Sequence, residues 1–218
     1  ETYITFTAEQ DNSSVGLVKL STNQTMEYSM DTTNWNTFDT TTNISLNNGD
    51  KIYVRGILSA DNTSSNCTQF KMNGKIAASG NCNAIWNYQD LNAPLKTYCG
   101  YNMFRICTSL ITAPELPAME LKDFCYCGMF YGCSSLITAP ELPAAELPDY
   151  CYEFMFQGCS KLNYIKMLAS NLSNTNDVLT NWVSGVASTG TFVKNPAMTS
   201  LPTGNSGIPS GWTVVNDN

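Results

Sequence analysis

An ungapped internal repeat of 26 residues limits what this chain can fold into more than any other property of its sequence. The stretch from Tyr98-Cys99-Gly100 through Met103-Phe104, Cys107, Leu110 and Ala113-Pro114-Glu115-Leu116-Pro117-Ala118 returns from Phe124-Cys125-Tyr126. It then runs through Met129-Phe130, Cys133, Leu136 and Ala139-Pro140-Glu141-Leu142-Pro143-Ala144. A third copy starts at Tyr150-Cys151, keeps Met155-Phe156, Cys159 and Leu162, and diverges after that. So short a unit cannot enclose its own apolar face. Copies therefore stack, and repeated residues become ladders through a shared core.

The period lies in the leucine-rich-repeat range of about 20–29 residues. It predicts strands at 110–113 and 136–139, each closed by a proline that leaves the sheet. Apolar residues at Cys151, Phe154, Met155 and Cys159, behind Pro148 and Asp149, predict one short helix per copy. Residues 1–80 read differently. Strand-length runs at 3–7, 15–20, 26–29, 44–46, 51–55 and 69–72, separated by Asn/Gly/Asp turns, predict an antiparallel β-sandwich-like domain. A helix is expected over 177–183, with strands at 191–194 and 212–215. The expected fold class is mixed α+β: a sandwich-like domain over 1–80, then a leucine-rich-repeat solenoid over 81–218. Its repeats fall at 98–123, 124–149 and 150–175, with a β-containing cap over 176–218.

The run Met129-Phe130-Tyr131-Gly132-Cys133-Ser134-Ser135-Leu136-Ile137-Thr138-Ala139-Pro140 resembles the BspA-like leucine-rich-repeat surface proteins of anaerobic, Bacteroides-type bacteria. The stretches Tyr3–Ala8 and Gly74–Asn81 are similar to the β domain before the repeats in such proteins. The segments 190–196 and 207–214 are similar to their closing segment. What the resemblance implies is an exported binding or adhesion protein, without enzymatic activity, recognising a host or neighbouring-cell protein or glycan. It would be secreted, or held at the bacterial surface through a removed, lipid-anchored N-terminal segment. No catalytic residue carries over.

Composition excludes several functions. The chain has no histidine, so Ser-His-Asp and Cys-His nucleophile pairs and histidine metal sites are absent. A net charge of −7 argues against neutralising a phosphate backbone, and no nucleic-acid partner is expected. No apolar run reaches the ~18 residues of a membrane span. No cofactor or metal is expected, and the chain is expected to be a monomer.

Of nine cysteines, Cys99, Cys107, Cys125, Cys133, Cys151 and Cys159 lie on two repeat ladders and read as buried free thiols. Cys67 and Cys82 flank the Asn73-Gly74 turn. That turn is expected to close a hairpin, with the two cysteines near-opposite at its open end, which predicts a disulfide. Glu115 and Glu141 recur at the Pro-Glu-Leu-Pro turn. Paired carboxylates could serve glycoside hydrolysis, but acids that recur because the repeat recurs are read as solvated loop residues. Together with Thr112, Thr138 and Tyr164 they are the candidate binding residues. The alternative is a carbohydrate-binding or carbohydrate-acting module that uses the repeated acids and exposed aromatics such as Trp35 and Trp86. A third reading is a structural spacer.

Overall fold

The structure is a computed structural model that describes residues 1–172 and 176–218. The last three residues of the expected third repeat, 173–175, lie outside the described residues. In chain order the elements are β1 (Ile4–Ala8), β2 (Ser13–Lys19), β3 (Gln24–Ser29), β4 (Asn36–Thr37), β5 (Asn43–Leu46), β6 (Lys51–Leu58), β7 (Gln69–Asn73) and β8 (Ile76–Ser79). They continue as α1 (Asn83–Asn87), β9 (Leu110–Thr112), β10 (Tyr164–Met167), β11 (Thr191–Lys194) and β12 (Thr213–Asn216). No helix among the described residues is long and apolar enough to cross a membrane.

Alternation builds the N-terminal half. In β6, Ile52, Val54, Gly56 and Leu58 are buried while Tyr53, Arg55 and Ile57 are half-buried, the period of two that gives a sheet one inner face. One sheet has the order β4-β3-β6-β1-β8-β9 and a second the order β5-β2-β7. They meet through Phe6 of β1 and Phe70 of β7, edge to face at 5.2 Å, with Phe38 against Phe70. Helix α1 lies over β6 at Gly56, where an added Cβ would stand 2.5 Å from the Ile85 carbonyl oxygen.

The repeat half does not form the expected solenoid. Among the described residues the single helix is α1, which lies outside the copies, and the strands fall into three small sheets. The mixed α+β leucine-rich-repeat assignment is therefore corrected to a β fold whose repeated segments are stacked turns. Residues 98–106, 124–132 and 150–158 each form a row in which every fourth residue has positive φ: Tyr98, Asn102 and Ile106; Phe124, Gly128 and Gly132; Tyr150, Phe154 and Gly158. Alternate N–H groups close turns inside the row, as Tyr101 N–H to Tyr98 O and Met103 N–H to Gly100 O. The others donate to the next row, as Gly100 to Cys125 O, Asn102 to Cys127 O and Phe104 to Met129 O.

Spacing explains the missing helices. Tyr98, Phe124 and Tyr150 stack face to face at 4.3 and 4.5 Å, close to the separation of strands in a sheet. Packed helices need axes about 8–10 Å apart. Copies held in register at strand spacing leave no room for one helix each.

A fourth row follows that the ungapped repeat does not reveal. Asp177, Asn181 and Gly185 repeat the positive-φ pattern, so 177–185 stacks on 150–158, and Phe156 N–H donates to Trp182 O. The helix expected over 177–183 is this run of turns. One extra residue before it hides the match from an ungapped comparison. At the far end, Val183 N–H donates to Asn205 O, Asn181 N–H to Ser206 Oγ and the Trp182 indole to Gly207 O. At the near end, Phe70 N–H and the Trp86 indole take up the carbonyls of Met103 and Cys99.

A line of stacked rings, Phe70, Phe104, Phe130 and Phe156, runs from the N-terminal sheets through the rows at 5.2, 5.5 and 5.7 Å. It lies in one continuous buried cluster that extends from Ile4 to Trp212. β8 pairs in parallel with β9 across the boundary expected near residue 80.

Candidate functional site

Beyond each turn row the chain runs through a strand-like segment to the Pro-Glu-Leu-Pro turn. The first of these segments, β9, pairs with β8, and the Glu115 N–H donates to Gly80 O. The second, around 136–146, forms no continuous strand. It bridges in the other direction, Thr138 to Tyr164, Leu142 to Met167 and Glu146 to Asn171, toward the parallel sheet β10-β11-β12. The strand expected at 136–139 is thus reduced to the bridge at Thr138.

Among the described residues no backbone hydrogen bond joins 109–118 to 135–144, although the turn rows of the same two copies are bonded throughout. The copies are closed at their turns and part at their strands. The resulting cleft, about 390 Å³, is lined by Ala113, Pro114, Glu115, Leu116 and Pro117 on one wall and by Pro140, Glu141 and Pro143 on the other. Proline has no N–H to give a ladder. The recurrent prolines therefore account for part of the break.

Of the five candidate binding residues, Glu115 and Glu141 come together on facing walls of the cleft, both exposed. Glu141 also meets Lys166 Nζ at 3.5 Å, and Lys166 lies 3.0 Å from Asp217. The hydrogen bond from Lys166 to Asp217, with Glu141 adding to it, raises the lysine pKa. Thr138 and Tyr164 form their own bridge beside the cleft. Thr112 lies apart from it, its hydroxyl donating to Ala78 O at 2.9 Å.

The aromatics named as exposed are not free. Trp86 is only 4 % exposed and its indole is used on Cys99 O. Trp35 is half-buried with the Arg55 guanidinium 3.8 Å above its ring; Arg55 also covers Tyr88 and pairs with Glu27. In the Tyr98–Phe124–Tyr150 column, neighbouring rings cover each other's faces.

All nine cysteines are free and buried. The expected Cys67–Cys82 bridge is absent. The hairpin on which it rested does not form, because β7 and β8 belong to different sheets and the chain crosses between them at Asn73-Gly74. In the ladder of Cys107, Cys133 and Cys159, each thiol donates to a phenylalanine carbonyl: Phe70, Phe104 and Phe130 in turn. Cys99, Cys125 and Cys151 form the other ladder. Cys127 lies off both, its Sγ 3.7 Å from Glu153 Oε2. Burial, then the Glu153 charge, pushes the Cys127 thiol up to about 12, so it is protonated and a poor nucleophile near neutrality.

Comparison of the chain with protein-family models, with curated proteins and with solved structures finds no match.

Proposed function

We propose that this chain is a non-enzymatic binding protein that takes an extended, basic protein segment into the cleft between its two Pro-Glu-Leu-Pro turns. The observation that carries this reading is the interrupted ladder: two strand-like segments of consecutive copies stand side by side without a backbone hydrogen bond between them. Backbone with unpaired edges receives an added strand through main-chain hydrogen bonds, with side chains setting specificity. Pro and Leu side chains supply an apolar floor, and the exposed Glu115 and Glu141 carboxylates favour lysine or arginine on the incoming segment.

The reading keeps the surface-binding role that the resemblance to BspA-like proteins implies, and an exported or cell-surface location with it. A glycan partner is supported less. Sugars pack against open aromatic faces, whereas the Trp35 face lies under Arg55 and Trp86 is buried.

Selection of a random peptide display library on the immobilised chain, beside a glycan array, tests the proposal. The expected outcome is enrichment of extended Lys/Arg-containing peptides whose affinity falls roughly tenfold in a Glu115→Lys, Glu141→Lys double variant and weakens with salt. Peptides indifferent to the charge reversal, or binding confined to the glycan array, would overturn it.

A further inference from the structure

The two cysteine ladders behave differently, and the difference points to a covalent modification. In one, every sulfur is turned onto a carbonyl oxygen, at 3.5 Å for Cys107 and 3.1 Å for Cys133 and Cys159. Those thiols are occupied one by one as donors. In the other, Cys125 Sγ and Cys99 Sγ have longer carbonyl contacts, to Lys96 O at 3.7 Å and Cys125 O at 4.0 Å, and their shortest contact is with each other, Sγ to Sγ at 3.3 Å, both essentially without solvent exposure. The two residues sit in adjacent turn rows held together by the bond from Gly100 N–H to Cys125 O at 2.7 Å. Backbones at strand spacing fall inside the Cα window a disulfide needs, and each sulfur closing by about 0.6 Å reaches the bond length of about 2.05 Å. The Cys125 sulfur also accepts the Lys122 N–H at 3.3 Å.

We propose that Cys99 and Cys125 are a disulfide-forming pair that staples the first repeat to the second when the chain folds in the presence of a disulfide donor such as oxidised glutathione. The exchange balances in two steps. The thiolate of one cysteine attacks the donor disulfide, making a mixed disulfide and releasing one glutathione thiolate. The thiolate of the other then attacks the protein-side sulfur, closing the Cys99–Cys125 bond and releasing the second glutathione thiolate. The two protein thiols lose their protons to solvent, and the donor is reduced by two electrons. Burial of both sulfurs assigns this reaction to folding, before the rows close over the pair.

Among the described residues no second pair of cysteine sulfurs comes as close, and the thiols of Cys107, Cys133 and Cys159 each meet a phenylalanine carbonyl instead. The three-membered ladder of Cys99, Cys125 and Cys151 supplies one pair and leaves Cys151 reduced.

Refolding the full chain from denaturant in oxidised glutathione, then alkylating under denaturing conditions and measuring intact mass, tests the pair. The expected result is two fewer alkylatable thiols than the reduced chain's nine, and a linked peptide that maps to Cys99 and Cys125. A Cys99→Ser variant carried through the same steps is expected to lose none of its thiols. The proposal is overturned if all nine thiols of the wild-type chain remain alkylatable. It is equally overturned if the missing pair maps to other cysteines, or if Cys99→Ser still loses two.

Discussion

At the scale of single residues, the turn rows are governed by where the backbone must turn left-handed. The third such position in each row is Ile106, Gly132, Gly158 and Gly185. Glycine adopts positive φ without a Cβ penalty, whereas a β-branched residue there is strained. Ile106 sits at φ 60° and is 59 % exposed, so it contributes little burial to offset the strain. Ile106→Gly is expected to stabilise the chain by about 1 kcal/mol, the relief of left-handed strain exceeding the added flexibility of the unfolded state. Urea unfolding checks this, and a midpoint below that of the parent would show that the isoleucine side chain contributes more than its exposure suggests.

At the scale of elements, a turn row differs from a helix in where its hydrogen bonds go. A helix satisfies its N–H groups internally; a row sends every second one to its neighbour. Parity along the row is therefore what register is to a strand. One alanine inserted inside 124–132 exchanges inward and outward N–H groups for the rest of that row. It is expected to cost at least about 3 kcal/mol, since several buried backbone groups lose partners at once. The same insertion between Met119 and Glu120, both exposed, is expected to be tolerated, as the extra residue before the fourth row already is. Equilibrium unfolding of the two variants separates them. Equal losses would mean that parity does not hold the rows together.

For the molecule as a whole, one core crosses from the N-terminal sheets into the rows, and it is lined with thiols. Burial pushes Cys107 and Cys159 up to about 12 from an ordinary value near 9. These native thiols keep their protons where unfolded ones lose them. The stability they contribute is complete below about pH 9 and is lost as pH rises toward 12. Calorimetry under reducing conditions is expected to give one cooperative transition with a melting temperature steady to about pH 8 and falling beyond about pH 9. A melting temperature unchanged up to about pH 11 would contradict burial as the cause.

The amino-acid sequence determined the period, because an ungapped repeat can be read without knowing the backbone conformation, and with it which cysteines and phenylalanines align. It also determined most N-terminal strands, since alternation in runs such as Lys51–Leu58 is a local signal. The recurrence of Glu115 and Glu141 at the Pro-Glu-Leu-Pro turn is read from the same repeat, but not that they stand on facing walls. The tertiary structure alone decided that residues with helical spacing become turns, because that depends on how closely the copies approach. It alone separated β7 from β8, which removed the Cys67–Cys82 pairing, and buried Trp86. The cleft too was invisible in the repeat, since copies of one motif bond at their turns yet part at their strands. One strand-like segment follows β8 and the other leans toward β10, and that choice of partner is made by sheets remote in the chain.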